Sequence, residues 1–384
     1  MKFSLIIPSC NRPEFVKAAL HFVEKQNYTD FELIISDNYS DPEYSCEKFC
    51  DESAVENLLY FWPKTHLTMV DNWNFALSKS SGDYICFFTD KMMLLPDTLQ
   101  NLSDILSREE YDVINWIYDR YNPDSPDNIW GDGWHISGKN YFYENEEHSP
   151  GPYDPREALQ IRAACHKPRS QLNSSEYSRG KICFGAYSRK LVDKAIRKFG
   201  QLFHHFSPDY TSMILALSLA ESAYELKESG IVHLSSNLSN GAKNATHDDE
   251  CLKVISSLQN GLSMIPMLPV PNLYTSQNNC VLHDYTTLKE KFSLQYEVDI
   301  VKWLVQMNED INLENRVWSS EEIELSQKNI LENYISTQLS AEEKERFYKL
   351  ASSDCREKLK FAKKKHHPIH CSSIFSILNG ASFT

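Results

Sequence analysis

The sequence predicts an α/β fold: a mostly parallel sheet with helices on both faces, followed by a mainly helical C-terminal extension. Two observations carry this. Over the first 120 residues, short apolar runs alternate with amphipathic stretches across short loops, as expected of strands buried on both faces and joined by crossover helices. From Tyr285 onward the chain becomes helical in period and highly charged.

Taken in order, FSLIIP at Phe3 to Pro8 reads as a first strand, and Pro13 fits the first position of a helix running from Glu14 to about Gln26. FELIIS at Phe31 to Ser36 is a second strand, ending at Asp37, Asn38 and Tyr39. Leu58 to Trp62 reads as a third strand, Met69 to Lys79 as a helix and Tyr84 to Thr89 as a fourth strand. Between Asn122 and Gly180 the periodicity gives way to Pro, Gly, Asp and aromatic residues. That segment fits either a substrate loop or a plain surface excursion. Ile182 to Tyr187, a helix from Arg189 to Phe199 and another from about Asp209 to Glu225 follow. The helical segments Val298 to Met307, Glu321 to Asn333 and Ala341 to Ser352 then lead into a basic stretch from Lys358 to Lys365.

Composition narrows the class. A chain of 384 residues, 41% hydrophobic and 24% charged, is an ordinary soluble globular sequence. It has no apolar run near the roughly 20 residues that span a bilayer. Met1 to Pro8 lacks the basic start and cleavage site of a signal peptide. The expected location is the cytoplasm. The net charge of −14 excludes a nucleic-acid partner, whose phosphates call for a basic face. Ten scattered cysteines without a CxxC pair suit buried free thiols better than disulfides or a zinc site.

In a parallel sheet the loops after the strands emerge along one edge, where ligands collect. Here they carry Ser9, Asn11 and Arg12, then Asp37, Asn38 and Ser40, then Thr89, Asp90 and Lys91. Turn and capping chemistry accounts for Ser9 and Ser40. Asp37 and Asp90, directly at strand ends, are better read as site residues. There is no GxGxxG after a strand, no GxxxxGK[ST], no GxSxG and no HExxH, which removes the main dinucleotide, P-loop, hydrolase and zinc-protease signatures.

Three ordered segments resemble family 2 glycosyltransferases with the GT-A fold: SLIIPSCNRPEF through LIISDNYSD, NWNFALSKSSGDYICFFTDKMMLLPDTL, and CFGAYSRKLVDKAIRKFG followed by SPDYTSMILAL. The likeness covers about residues 2 to 225. It implies a GT-A domain over 1–245, with a nucleotide half of about 1–120 and an acceptor half of about 121–245, and leaves 246–384 as the helical region. It also implies transfer of a sugar, with inversion, from a nucleotide-sugar, most simply a UDP-sugar, to a hydroxyl of a glycan or lipid-linked acceptor in surface polysaccharide synthesis. Such transfer needs a general base and a positive group at the departing diphosphate.

By this resemblance Pro8, Ser9, Asn11, Arg12, Asp37, Asn38 and Asp90 bind the donor nucleotide, and Asp209 is the base. An acid at a helix start is also favoured by the helix dipole alone. The family commonly places an acid at position 91 or 92 to hold Mg²⁺ or Mn²⁺, but this chain has Lys91 and Met92. Asp90 is then the one remaining metal ligand, and weak metal binding or none is expected. Three roles compete for Lys91: replacing the metal as leaving-group electrophile, pairing with Asp90 in an inactive nucleotide- or glycan-binding module, or pointing to solvent. We favour replacement, since an ammonium is a compact charge suited to phosphate. His233 and His247 are not assigned a metal. Trp116, Trp130 and Trp134 are expected to pack rather than to stack on sugars. The basic C-terminal stretch is a candidate for peripheral contact with the inner membrane face.

Overall fold

β1 (Phe3–Ser9) and β2 (Phe31–Asp37) pair in parallel with Ile6 opposite Ile34, and both are buried along almost their whole length. Burial on both faces demands an unbroken apolar run, which makes FSLIIP and FELIIS legible. β3 (Leu58–Phe61) adds in parallel to β2, and β4 (Tyr84–Phe87) to β1. The helices Pro13–Val23 and Met69–Leu77 lie in the connections. Pro13 opens the first, and Thr68 caps the second by accepting a hydrogen bond from the Asp71 amide. The structure is a computed structural model describing residues 1–125, 128–138, 150–166, 174–235, 246–258, 260–361 and 368–378.

Beyond β4 the sheet becomes mixed. β5 (Met92–Leu94), β6 (Val113–Pro123), β7 (Gly133–Ile136), β8 (Gly151–Tyr153), β9 (Gly185–Ser188), β10 (Ala223–Leu234) and β11 (Ile369–Cys371) complete it. β9 runs antiparallel between β4 and β6. β10 lies parallel to β6 and antiparallel to β5 and β8. The sheet order is β11-β7-β6-β9-β4-β1-β2-β3, with β10, β5 and β8 off this path.

Two elements differ from the sequence reading. The fourth strand ends at Phe87 rather than Thr89, and a turn closed by Met92 N donating to the Thr89 carbonyl at 2.9 Å carries Asp90 and Lys91. The helix expected to reach Glu225 stops at Leu219, because residues 223–234 form β10. Glu225, Lys227 and Glu228 interrupt the apolar pattern of that strand and hide it. Buried Glu225 is matched by Arg179 at 2.6 Å.

The irregular segment contains β7, β8 and the helix Pro155–Ala163, capped by Asp154. Residues 139–149 and 167–173, on which much of the substrate-loop reading falls, lie outside the described residues. In the C-terminal region the helices Gln277–Phe292, Ile300–Ile311, Glu321–Gln338 and Ala341–Phe361 contribute Leu282 and Tyr285, Trp303, Leu331, and Phe347 to the same core as the sheet. The side chains of the basic stretch 358–365 lie outside the described residues. Among the described residues no helix is long and apolar enough to cross a membrane.

Candidate functional site

A cleft of about 1160 Å³ opens at the strand ends. Pro8, Ser9, Asn11, Arg12, Asn38, Asp90, Lys91 and Asp209 all line it. The predicted residues converge there because β1, β2 and β4 run parallel and deliver their loops to one edge.

Asp90 is buried beside the end of β1. Its Oδ2 accepts from the Ser9 hydroxyl at 3.1 Å, and its Oδ1 lies 3.4 Å from Arg12 Nη1. Ser9 therefore does more than turn chemistry. Asn11 has φ +54° and ties two loops together: its amide NH donates to Ser40 Oγ at 2.7 Å, and its Oδ1 accepts from Asp41 N at 2.9 Å.

Asp37 is brought to the same edge but not to the cleft wall. Its carboxylate is buried and accepts from Cys46 N at 3.0 Å, from the Tyr60 hydroxyl at 2.9 Å and from Ser40. It organises the loop after β2. Asn38 does line the cleft, with its amide paired to the backbone of Leu67: Nδ2 donates to the carbonyl at 2.9 Å and Oδ1 accepts from the amide at 3.0 Å.

The turn at Asp90 puts Lys91 on the cleft wall, not out in solvent. Burial lowers the pKa of its ammonium from the usual lysine value, Asp90 opposes that shift, and Arg12 adds to it. The Lys91 carbonyl accepts from Leu234 N at 2.9 Å, which fixes the turn to β10. Two further residues join it. In strand register Arg120 on β6 stands opposite His233 on β10, and His233 opposite Met92 on β5, so a row across three strands brings them beside Lys91. Burial, then the charges of Lys91 and Arg120, push the His233 imidazole well below its usual pKa. Arg120 went unnamed in the sequence reading and His233 unassigned, because both gain their position from β10, whose pattern is masked.

Asp209 sits in the first turn of the helix Pro208–Leu219. The preceding backbone is held by buried Asp284, which accepts from Ser207 N at 2.9 Å and Phe206 N at 3.3 Å. Opposite Asp209 Oδ2, at 3.1 Å, stands the ammonium of Lys181, a residue with no exposed surface. The contact is an ion pair, without the alignment of a hydrogen bond. Lys181 carries no motif in the sequence.

The far wall of the cleft is uncharged, with Phe206, Val254, Ile255, Leu258, Tyr274 and Val281. Trp116 is fully buried, Trp130 stacks on Phe375, and Trp134 packs with His370 at the sheet edge. His247 bridges to Val317 and does not line the cleft. Among the described residues no group of three or more His, Cys, Asp or Glu side chains is placed to hold a metal ion.

Residues 4–162 match the model of Glycosyl transferase family 2. A GalNAc(5)-diNAcBac-PP-undecaprenol beta-1,3-glucosyltransferase of Campylobacter jejuni is 28% identical over 109 residues, 26% of this chain and 33% of that protein. An uncharacterized glycosyltransferase of Haemophilus influenzae is 30% identical over 121 residues, 30% of this chain and 37% of that one. The chain thus spans about a third of the length of the curated relatives it matches. Among solved structures, S. aureus TarS 1-349 in complex with UDP-GlcNAc is 14% identical, with a TM-score of 0.46 over 93% of this chain and 92% of that chain. With its parallel β3-β2-β1-β4 half, its mixed second half and its strand-end cleft, the chain has an α/β fold of the GT-A type, and over residues 4–162 it is similar to glycosyl transferase family 2.

Proposed function

We propose that this protein transfers a sugar, with inversion, from a nucleotide-sugar to an acceptor hydroxyl, with Asp209 as general base and Lys91 as the cation at the departing diphosphate. The observation that carries the reading is that Asp209 and Lys91 line one cleft, with Asp209 near enough for its charge to act on the Lys91 ammonium. A base on the acceptor side and a cation on the leaving-group side are what displacement at an anomeric carbon requires.

The donor set does not fit a divalent ion. Asp90 gives its oxygens to Ser9 and Arg12, and the neighbouring side chains are the cations Lys91 and Arg120 and the half-buried His233. A hard dication wants several oxygen ligands, with carboxylates beside the phosphates. In our reading Lys91 supplies the charge instead, with Arg12 and Arg120 adding to the positive field.

The donor in this reading is a UDP-sugar, held at Pro8, Ser9, Asn11, Arg12 and Asn38. The acceptor is a glycan or lipid-linked hydroxyl on the uncharged wall. That wall supports an acceptor with an apolar part, and the Campylobacter jejuni relative is named for an undecaprenol-diphosphate-linked glycan. Release of UDP from a panel of UDP-sugars, measured with EDTA and with Mn²⁺, tests donor and metal together. Turnover that survives EDTA supports the reading; turnover abolished by EDTA and restored by Mn²⁺ sinks the role of Lys91.

A further inference from the structure

We propose that Lys181 is a positioning residue for Asp209: its buried ammonium holds one carboxylate oxygen and leaves the other turned to the cleft to receive the acceptor's proton. The inference rests on the reading of Asp209 as general base.

The slot that holds this lysine is built in detail. Its ammonium lies 3.8 Å from the ring centres of both Tyr177 and Tyr210, close enough for cation–π attraction, and 3.1 Å from Asp209 Oδ2. Arg162 lies over the same two rings at 5.7 and 5.6 Å. The backbone around the lysine is fixed by buried Asn115 on β6. Its Nδ2 donates to the carbonyls of Ser178, Lys181 and Phe184 at 3.1 to 3.2 Å, and its Oδ1 accepts from Gly180 N at 2.8 Å. Gly180 has φ +78°, a conformation that side chains rarely adopt. A lysine on a loop so constrained has little freedom to look for another partner.

Stability alone does not explain the burial. Enclosing an ammonium carries a large desolvation cost, and a buried ion pair is often no better than apolar residues of the same volume. Here the partner acid is partly exposed, on the cleft wall, at the start of a helix. Burial pushes the Lys181 ammonium down, but Tyr177, Tyr210 and Asp209 outweigh it and its pKa rises, so the charge persists across the working pH range. The other groups that face Asp209 are Lys91, Cys183 and Tyr187, and Asp284 holds the backbone just before it. A merely stabilising pair would set the fold; a positioning pair sets where one oxygen points.

The test is Lys181→Met, which keeps the length and apolar body of the side chain, in the full chain. With a UDP-sugar that is turned over, kcat is expected to fall about 10- to 100-fold while the donor KM changes little, and Lys181→Arg, which keeps the charge, is expected to recover part of the loss. An unchanged kcat in a folded Lys181→Met variant overturns the proposal. Should Lys181→Met fail to fold, Lys181→Gln is read in the same way. Asp209→Asn that keeps full turnover would instead remove the base reading, whatever Lys181→Met shows.

Discussion

Arg12 and Asp90, 78 residues apart in the chain, meet at 3.4 Å where the loop after β1 faces the turn after β4. The acid of the expected metal motif is thereby tied to a cation of the nucleotide loop. Asp90→Asn releases Arg12 but keeps the shape of the turn. The donor KM is expected to rise about tenfold, the loss of one charge-assisted hydrogen bond, with kcat nearly unchanged and no rescue by Mn²⁺. A collapse of kcat that Mn²⁺ modulates would show Asp90 working as a metal ligand.

Lys91→Ala removes the cation proposed to meet the diphosphate. Transfer is expected to fall by about 10²- to 10³-fold while the melting temperature holds, because Lys91 stands on the cleft wall and not in the core. Steady-state UDP release against thermal unfolding checks both halves. Activity close to wild type would return Lys91 to a bystander.

Asp209→Asn keeps the volume and the helix start but cannot take a proton. A kcat loss of about 10²- to 10⁴-fold with donor binding intact by calorimetry is expected. Parallel loss of donor binding would point to a structural role at the start of the helix Pro208–Leu219.

Glu32 gives a pH signature of stability. Burial raises its carboxyl pKa, but the hydrogen bonds from Lys2 at 2.6 Å, from the Ser81 amide and from the Ser4 and Ser81 hydroxyls outweigh it and bring the pKa to about 2. A depressed acid contributes stability above its unfolded pKa and loses it as pH falls through the folded one. The stability advantage of wild type over Glu32→Gln is therefore expected to be full at neutral pH and to shrink between about pH 4.5 and 2. Its size is on the order of 1–2 kcal/mol, since the Lys2 partner is exposed to screening solvent. Urea unfolding at several pH values measures it, and a constant advantage down to pH 2 would contradict it.

Gly230→Ala places a Cβ 2.4 Å from the buried Trp116 ring, while the Gly230 carbonyl holds Leu95 N and the Thr98 hydroxyl. Overpacking of this kind costs about 1–3 kcal/mol. A variant as stable as wild type would show that β10 can yield there.

The nucleotide half was legible because each of its strands is an apolar run between turn residues, and parallel pairing then fixes where the loops go. Asn11, Arg12, Asp90 and Lys91 reach the cleft by that logic, whereas Asp209 arrives at the start of the helix Pro208–Leu219. Asp37 shows its limit: a strand-end acid looks the same in sequence whether it faces a ligand or, as here, the amide of Cys46 and the hydroxyl of Tyr60. β10 was hidden because its buried Glu225 is charged and its match, Arg179, lies far away in the chain. With β10 unseen, Arg120 and His233 had no place. Lys181 was invisible for a similar reason: the enclosure by Tyr177 and Tyr210 that gives it meaning is tertiary.

β11 returns after the helical region to pair with β7, Ile369 opposite His135. That edge closes only when segments from distant parts of the chain have already met, so loop-closure entropy sets it among the last contacts to form. Until that pairing forms, the β7 edge lacks its outermost strand. In that interval β7 offers unpaired backbone groups to any other strand, which makes this edge the vulnerable point of the fold for misassembly.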